Sequence, residues 1–415
     1  MAGAGSWHDP NRASSTALRF AYRTKGTQMG KRALALTAIV VLVGATSVLG
    51  MSPAGAATVG TEAALRSAFA SDAAVDLSSD ITLTDCSGQA GGAVLRPSSN
   101  ADPVTLDGHG FTITQTCKSN VLIQQGAGAL TLRNVTITGG TTEFDGAGVF
   151  AQADLTVEGS TVTNNHARDF GGGLVANGAL VVRSSSIVGN SSGQGGGGVQ
   201  GDLEVTVTDS DVSENTGGGI GTNPLDPHAT VTVVNSTVHH NTGVFGGGIF
   251  SSGDATLTYV TVTDNSAQEA YANVAANRLF AYGTVITDPN GQADCLPASG
   301  SVSRGYNYSD DDSCRFTAPT DRQGAGDPLL GPLADNGGPT QTRKPLPGSP
   351  LLDAIPTPGC APGVTTDQRG VARPQRGRCD IGAVEVAVTA SRHRCGQGHS
   401  DAAGAAASVR SKSHC

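Results

Sequence analysis

Five asparagines, Asn165, Asn190, Asn215, Asn241 and Asn265, recur at intervals of 25, 25, 26 and 24 residues. Three positions before each stands a β-branched apolar residue: Val162, Ile187, Val212, Val238 and Val262. Ile137 with Gly140 supplies one more copy upstream. A short apolar stretch precedes each unit, as in Leu155-Thr-Val157 and Leu180-Val-Val182, and Gly-Gly-Gly runs follow at 171–173, 196–198, 217–219 and 246–248. A fixed period of this size marks a repeat architecture in which each unit buries its apolar face only against its neighbours. Each unit holds three short pieces rich in Val, Ile and Thr, which favour pleated backbone. None has room for a helix of ten or more residues with helical apolar spacing. The units therefore read as coils of an all-β parallel β-helix, stacked about 4.8 Å apart. Asn suits a corner column in two ways: its amide bonds to the coils above and below, and it tolerates left-handed backbone. The glycines serve the same corners without a side chain. A disordered low-complexity segment does not explain Val and Asn held in register over successive units. A leucine-rich solenoid requires a Leu spacing that is missing.

The chain has 415 residues with 58 Gly, 15% charged and 4% aromatic residues, and a formal net charge of −9. Residues 1–56 carry six Lys/Arg and one Asp, leaving 20 basic and 34 acidic residues from 57 onward. That balance argues against nucleic acid or an anionic membrane surface as partner. Cations, basic surfaces and neutral glycans remain open.

Met29-Gly-Lys31-Arg32, the apolar run from Ala33 to Leu49 and Ala54-Gly55-Ala56 together have the pattern of a secretion signal. The expectation is a true start at Met29 and a mature chain from near Ala57; the competing reading is an uncleaved membrane anchor. No second apolar run follows, so the mature chain is expected to lack a membrane span and to be monomeric. Thr61 to Ala70, with Thr61 as N-cap and Leu65 and Phe69 four apart, predicts a short helix over the open end of the first coil. The expected organisation is an extension with signal over 1–56, the β-helix with its cap over 57–288, a loop-rich capping region over 289–386 and a loose tail over 387–415. Within the third part, Cys295 to Phe316 reads as a loop, and Asp327 to Pro362 is too dense in Pro and Gly for regular sheet.

Eight cysteines behind an export signal imply oxidation. Sequence order suggests Cys86 with Cys117, Cys295 with Cys314 and Cys360 with Cys379, each closing a loop worth about 3 kcal/mol in the chain-entropy model. Cys395 and Cys415 are left to pair together, to pair between chains or to stay free. No close Cys-x-x-Cys points to a metal.

Leu333-Ala-Asp-Asn-Gly-Gly-Pro-Thr340, Leu346-Pro-Gly-Ser-Pro-Leu-Leu-Asp353, Asp367-Gln-Arg-Gly370 and Cys379-Asp-Ile-Gly-Ala-Val-Glu385 form a further set of motifs. This segment resembles the C-terminal part of secreted bacterial right-handed β-helix proteins of the choice-of-anchor Q type. The resemblance implies a pectate-lyase-like right-handed solenoid and export; the Pro and Gly density and the cysteine pairs make the C-terminal region a disulfide-containing cap. The family usually carries a sorting signal after the last motif, but neither a membrane-spanning run nor a sortase-type motif follows Val386. The family itself fixes no activity.

Candidate chemistry is sparse. Glu143 and Arg168 lie one period apart, with Asp145, His166 and Asp169 nearby. These five residues are candidates for general acid/base work or cation binding; the competing reading is a solvated ion pair between coils. Asp310, Asp311 and Asp312 are candidates for Ca²⁺, without the alternating ligand spacing of a dedicated loop. His239 and His240 are adjacent on a strand, where neighbours point to opposite faces, so the two are not expected to share a metal. Arg369, Arg373 and Asp380 are expected to hold the Pro-rich segment against the last coil. No nucleophile elbow, phosphate loop or zinc spacing is present. No cofactor is expected. The function expected is that of a secreted or cell-surface, non-catalytic element with a flat, hydroxyl-bearing face for extracellular glycans or proteins. The alternative, from fold analogy alone, is a lyase or hydrolase of acidic polysaccharide.

Overall fold

The computed structural model describes residues 55–386 except 88–89, 269–270, 288–291 and 361–362. The signal-like run with Met29, and the tail with Cys395 and Cys415, lie outside the described residues.

The repeats fold as successive coils of a parallel β solenoid. Several coils have four straight pieces rather than three, as in Val149–Ala151, Leu155–Glu158, Thr161–Thr163 and His166–Ala167. The fourth is two residues long and carries no apolar triplet, which hides it in the sequence. Every piece pairs in parallel with its counterpart one period away. Leu155 lies against Leu130 and Leu180, and Val162 against Ile137 and Ile187. The first two pieces of the coils join in one large sheet, the third pieces form a ten-stranded sheet, and the fourth pieces form short ones. We call the ten-stranded element the corner sheet, because it lies between two tight corners.

Alternation along each strand sends Leu, Val and Ile inward and Thr or Ser outward. Leu130, Leu155, Leu180, Val205 and Val231 form one continuous buried column, and Ile137, Val162, Ile187, Val212, Val238 and Val262 another. Each such side chain contributes about 1.5–3 kcal/mol by leaving water, but only when coils lie above and below it.

A helix, Glu62–Ser71, closes the N-terminal end. Thr61 Oγ1 accepts from Ala64 N at 3.3 Å, and Leu65, Ala68 and Phe69 bury onto the first coil. At the other end the stack runs further than its sequence suggests. Ala293–Pro297, Ser301–Ser303 and Tyr308–Ser309 pair with the preceding coil, within the stretch expected to be a loop. Only their register identifies them as strands, because their apolar residues are too few to make a pattern. The Cys295–Cys314 disulfide and Phe316 then close the core. Among the described residues, Cys86–Cys117 and Cys360–Cys379 are the other two disulfides.

From Asp327 the chain folds back along the solenoid. It contains two short antiparallel pairs, Leu330–Ala334 with Thr342–Pro345 and Ile355–Pro356 with Arg378–Cys379. Some regular pairing therefore survives the Pro and Gly content. Pairing between just two short strands leaves prolines on free edges, where no amide is needed. The Cys379–Glu385 motif is strand only at its first residue.

Candidate functional site

The asparagine column is an amide ladder inside the third corner of the coils. Asn190 Oδ1 accepts from Asn165 N at 3.2 Å and Nδ2 at 2.9 Å, while Asn190 Nδ2 donates to Val162 O and Asn215 Oδ1. Asn215, Asn241 and Asn265 repeat the pattern. Asn273 and then Asp294 extend it, at 2.9 Å each. The left-handed residue of this corner is not the ladder asparagine but the one before it: Asn164, Gly189, Glu214, His240 and Asp264. A buried amide that must reach both neighbouring coils requires an extended backbone, so the turn falls one residue earlier. The third glycine of each run packs on the ladder amide. A Cβ on Gly198 would lie 2.9 Å from Asn215 Nδ2 and 2.7 Å from Gly219 O.

The five acid/base candidates do not converge. Glu143 and Arg168 pair at 3.2 Å with 76% and 72% of their side chains exposed, a solvated bridge. His166 Nδ1 meets Ser191 Oγ at 2.7 Å, and Asp169 accepts from Gln194 Nε2 at 2.7 Å. Asp145 accepts from Phe170 N at 2.9 Å. Burial raises its carboxyl above the usual range against that hydrogen bond, and the charge of Asp169 adds to the rise.

Of the acidic triplet, Asp310 and Asp311 both act on Asp294. Asp311 accepts from Asp294 N, Ser313 N and Ser313 Oγ. Buried Asp294 has its carboxyl raised well above the ordinary value by desolvation, by Asp310 and by the charge of Asp311. The triplet forms no converging set of ligand atoms among the described residues.

The outward face of the corner sheet divides in two. Thr112, Thr114, Thr136, Thr138, Thr161, Thr163 and Ser186 are partly open to solvent. From Asp211 onward the equivalent positions are buried: Asp211, Ser213, Thr237, His239, Thr261 and Thr263. The returning C-terminal segment covers them. Thr237 Oγ1 donates to Gln368 Oε1 at 2.7 Å, Ala383 N donates to Thr261 Oγ1 at 3.1 Å, and Asn235 Nδ2 donates to Thr366 O at 2.8 Å. The hydroxyl face is thus open over only part of its length. Arg373 ties this cover to the coils. It bonds Glu385 at 2.9 Å with both side chains buried, and lies 4.2 Å over the Tyr259 ring. Arg369 instead holds the segment to itself, through Asp367, Asn336 O and Glu385 O. Asp380 does likewise, accepting from Asp353 N and Val386 N. Next to the open part lies a shallow cleft of about 420 Å³, lined by His109, Asn134, Thr136 and Thr161 among others.

Sequence reasoning separated His239 from His240; the structure brings them together. His240 sits at the left-handed corner, with φ 54°. That backbone breaks strand alternation and turns its ring to the same side as that of His239. His240 Nδ1 faces His239 Nε2 in direct contact. Asp264, at the same corner one coil on, lies 3.4 Å from His239 Nδ1 and also contacts Arg343 Nη1. One ligand atom from each of His239, His240 and Asp264 lies within 4.8 Å of the others. A signal existed in the period, since His240 and Asp264 are both the residue before a ladder asparagine. A second missed feature is a stack of opposite charges on the large sheet, Arg133–Glu158–Arg183, at 3.1 and 3.6 Å.

Parallel coils, inward aliphatic columns and an asparagine corner define a β solenoid. Residues 75–279 match the family described as right handed beta helix region, and the fold of the described residues is an all-β right-handed β-helix. No curated protein and no solved structure matches it. Among the described residues, no helix is long and apolar enough to cross a membrane.

Proposed function

We propose that this is an exported, non-catalytic β-helix of the cell surface or extracellular space that binds neutral glycans. One observation carries the reading: the open half of the corner sheet, where rows of Thr and Ser hydroxyls one coil apart run beside the His109–Thr161 cleft. Hydroxyl rows of fixed spacing on a rigid sheet match the hydroxyls of an extended sugar chain without requiring charge. The solvated Glu143–Arg168 pair, with Asp145, His166 and Asp169 each bonded elsewhere, supports a binding role over a hydrolytic one. Three disulfides are consistent with an oxidising compartment. The C-terminal segment, on its choice-of-anchor Q motifs, belongs to the same exported class in this reading.

A glycan array probed with the purified protein tests the proposal. Binding to neutral oligosaccharides that is lost in Thr161→Arg, which fills the cleft edge, is the expected result. Absence of binding to any glycan defeats the proposal. So does release of unsaturated products from an acidic polysaccharide, abolished in Arg168→Ala.

A further inference from the structure

Two histidines and a carboxylate converge where the returning C-terminal segment crosses the corner of two adjacent coils. His239 is buried on the outer face of the corner sheet, His240 is at the solvent edge, and Asp264 is one coil on and partly buried. Each has a reason to be fixed. His239 sits in the sheet between Ser213 and Thr263. His240 and Asp264 occupy the left-handed corner just before ladder asparagines whose amides are fully engaged. Three ligand-bearing side chains on a frame this rigid lose little freedom on binding an ion.

We propose that His239, His240 and Asp264 form a binding site for a single divalent transition-metal ion of the Zn²⁺ type. Two imidazoles and a carboxylate are donors suited to zinc or cobalt rather than to calcium, which takes oxygen ligands. Three protein ligands leave the fourth tetrahedral position to water, and the exposed ring of His240 gives the ion a way in. Two neighbours have outer-sphere roles. Arg343 Nη1 binds Asp264 Oδ2 and Arg343 Nε donates to Gly331 O at 2.8 Å, which fixes the carboxylate and joins it to the cover. Thr263 O lies 3.3 Å from His239 Nδ1, so a proton on that nitrogen leaves the Nε2 lone pair, which faces His240 Nδ1, to bind the ion. Arg343 alone would repel a cation; Asp264 offsets it, and Glu214, at the same corner one coil before His240, adds negative charge. An ion here would join two coils beneath the returning segment.

The site is testable on the full-length, untagged, disulfide-intact protein, stripped with chelator and dialysed against Co²⁺ with Zn²⁺ as competitor. The expected result is one Co²⁺ per chain, displaced by Zn²⁺, with the visible absorption of four-coordinate cobalt. His240→Asn and Asp264→Asn keep residues that tolerate left-handed backbone, and each should weaken binding at least tenfold. Unchanged circular dichroism and melting temperature would show that both variants are folded. His228→Asn, an exposed loop histidine, should bind as the parent does. Absence of saturable Co²⁺ uptake would overturn the site, as would uptake that survives both variants or is lost with His228.

Discussion

Asn215 shows what a single side chain does in this fold. Its Nδ2 donates to Ile187 O and to Asn241 Oδ1, and its Oδ1 accepts from Asn190 N and Nδ2. Replacing it with alanine strands buried donors and acceptors on two coils, each costing about 1–3 kcal/mol. Asn215→Ala should therefore lose at least about 3 kcal/mol in urea unfolding. Arg168→Ala, at a solvated pair, should change stability by less than about 0.5 kcal/mol in the same assay. Asp211 makes a different point. It is buried, Ser213 Oγ is its hydrogen-bond partner at 3.1 Å, and its other oxygen has none. Burial raises its pKa to about 7, with the charge of Glu214 adding to the rise. The folded state holds that proton more tightly than the unfolded one. Its contribution is thus fully present below about pH 4 and is lost as pH rises through about 7. The slope reaches about 1.4 kcal/mol per pH unit within that window. Asp211→Asn should flatten it, leaving the variant more stable than the parent at pH 8, as read from urea midpoints.

At the scale of elements, the returning segment after Asp327 depends on the coils and in turn completes them. Its hydrogen bonds to Thr237, Asn235 and Thr261 satisfy groups on the sheet that the segment itself takes out of water. Arg373 is its buried anchor. Arg373→Met breaks the pair with Glu385 and leaves an uncompensated carboxylate, costing about 3–5 kcal/mol. The expected signature is rapid proteolytic cleavage within 328–386 while the core coils persist, resolved by mass spectrometry of the fragments. The N-terminal helix plays the equivalent role at the other end. Its Thr61 cap and its Leu65 and Phe69 face were legible because helix signals are local, spanning a single turn or two.

The whole molecule is a stack in which each coil supports only its neighbours, so its ends are its weak points. Two disulfides lie there, Cys86–Cys117 near the helix and Cys295–Cys314 at the last coil. Reduction should speed amide exchange at the two ends well before the coils from 155 to 262, as measured by hydrogen exchange with and without reductant. The period, the aliphatic columns and the solenoid were readable from sequence because one nearest-neighbour interaction is repeated, and repetition amplifies a weak signal. The coil at 293–309 was not readable: without repeated Val and Asn, its strands exist only through their register on the coil before.

The sequence by itself determined the coil length, the inward and outward faces and the residues of the ladder, all properties of a residue and its counterpart one period away. Tertiary structure alone decided which outward hydroxyls stay open, because the contact of Thr237 with Gln368 joins positions 131 residues apart with no period to announce it. It also decided that His239 and His240 face the same way. Strand alternation separates neighbours only while the backbone stays extended, and at His240 the corner makes it left-handed.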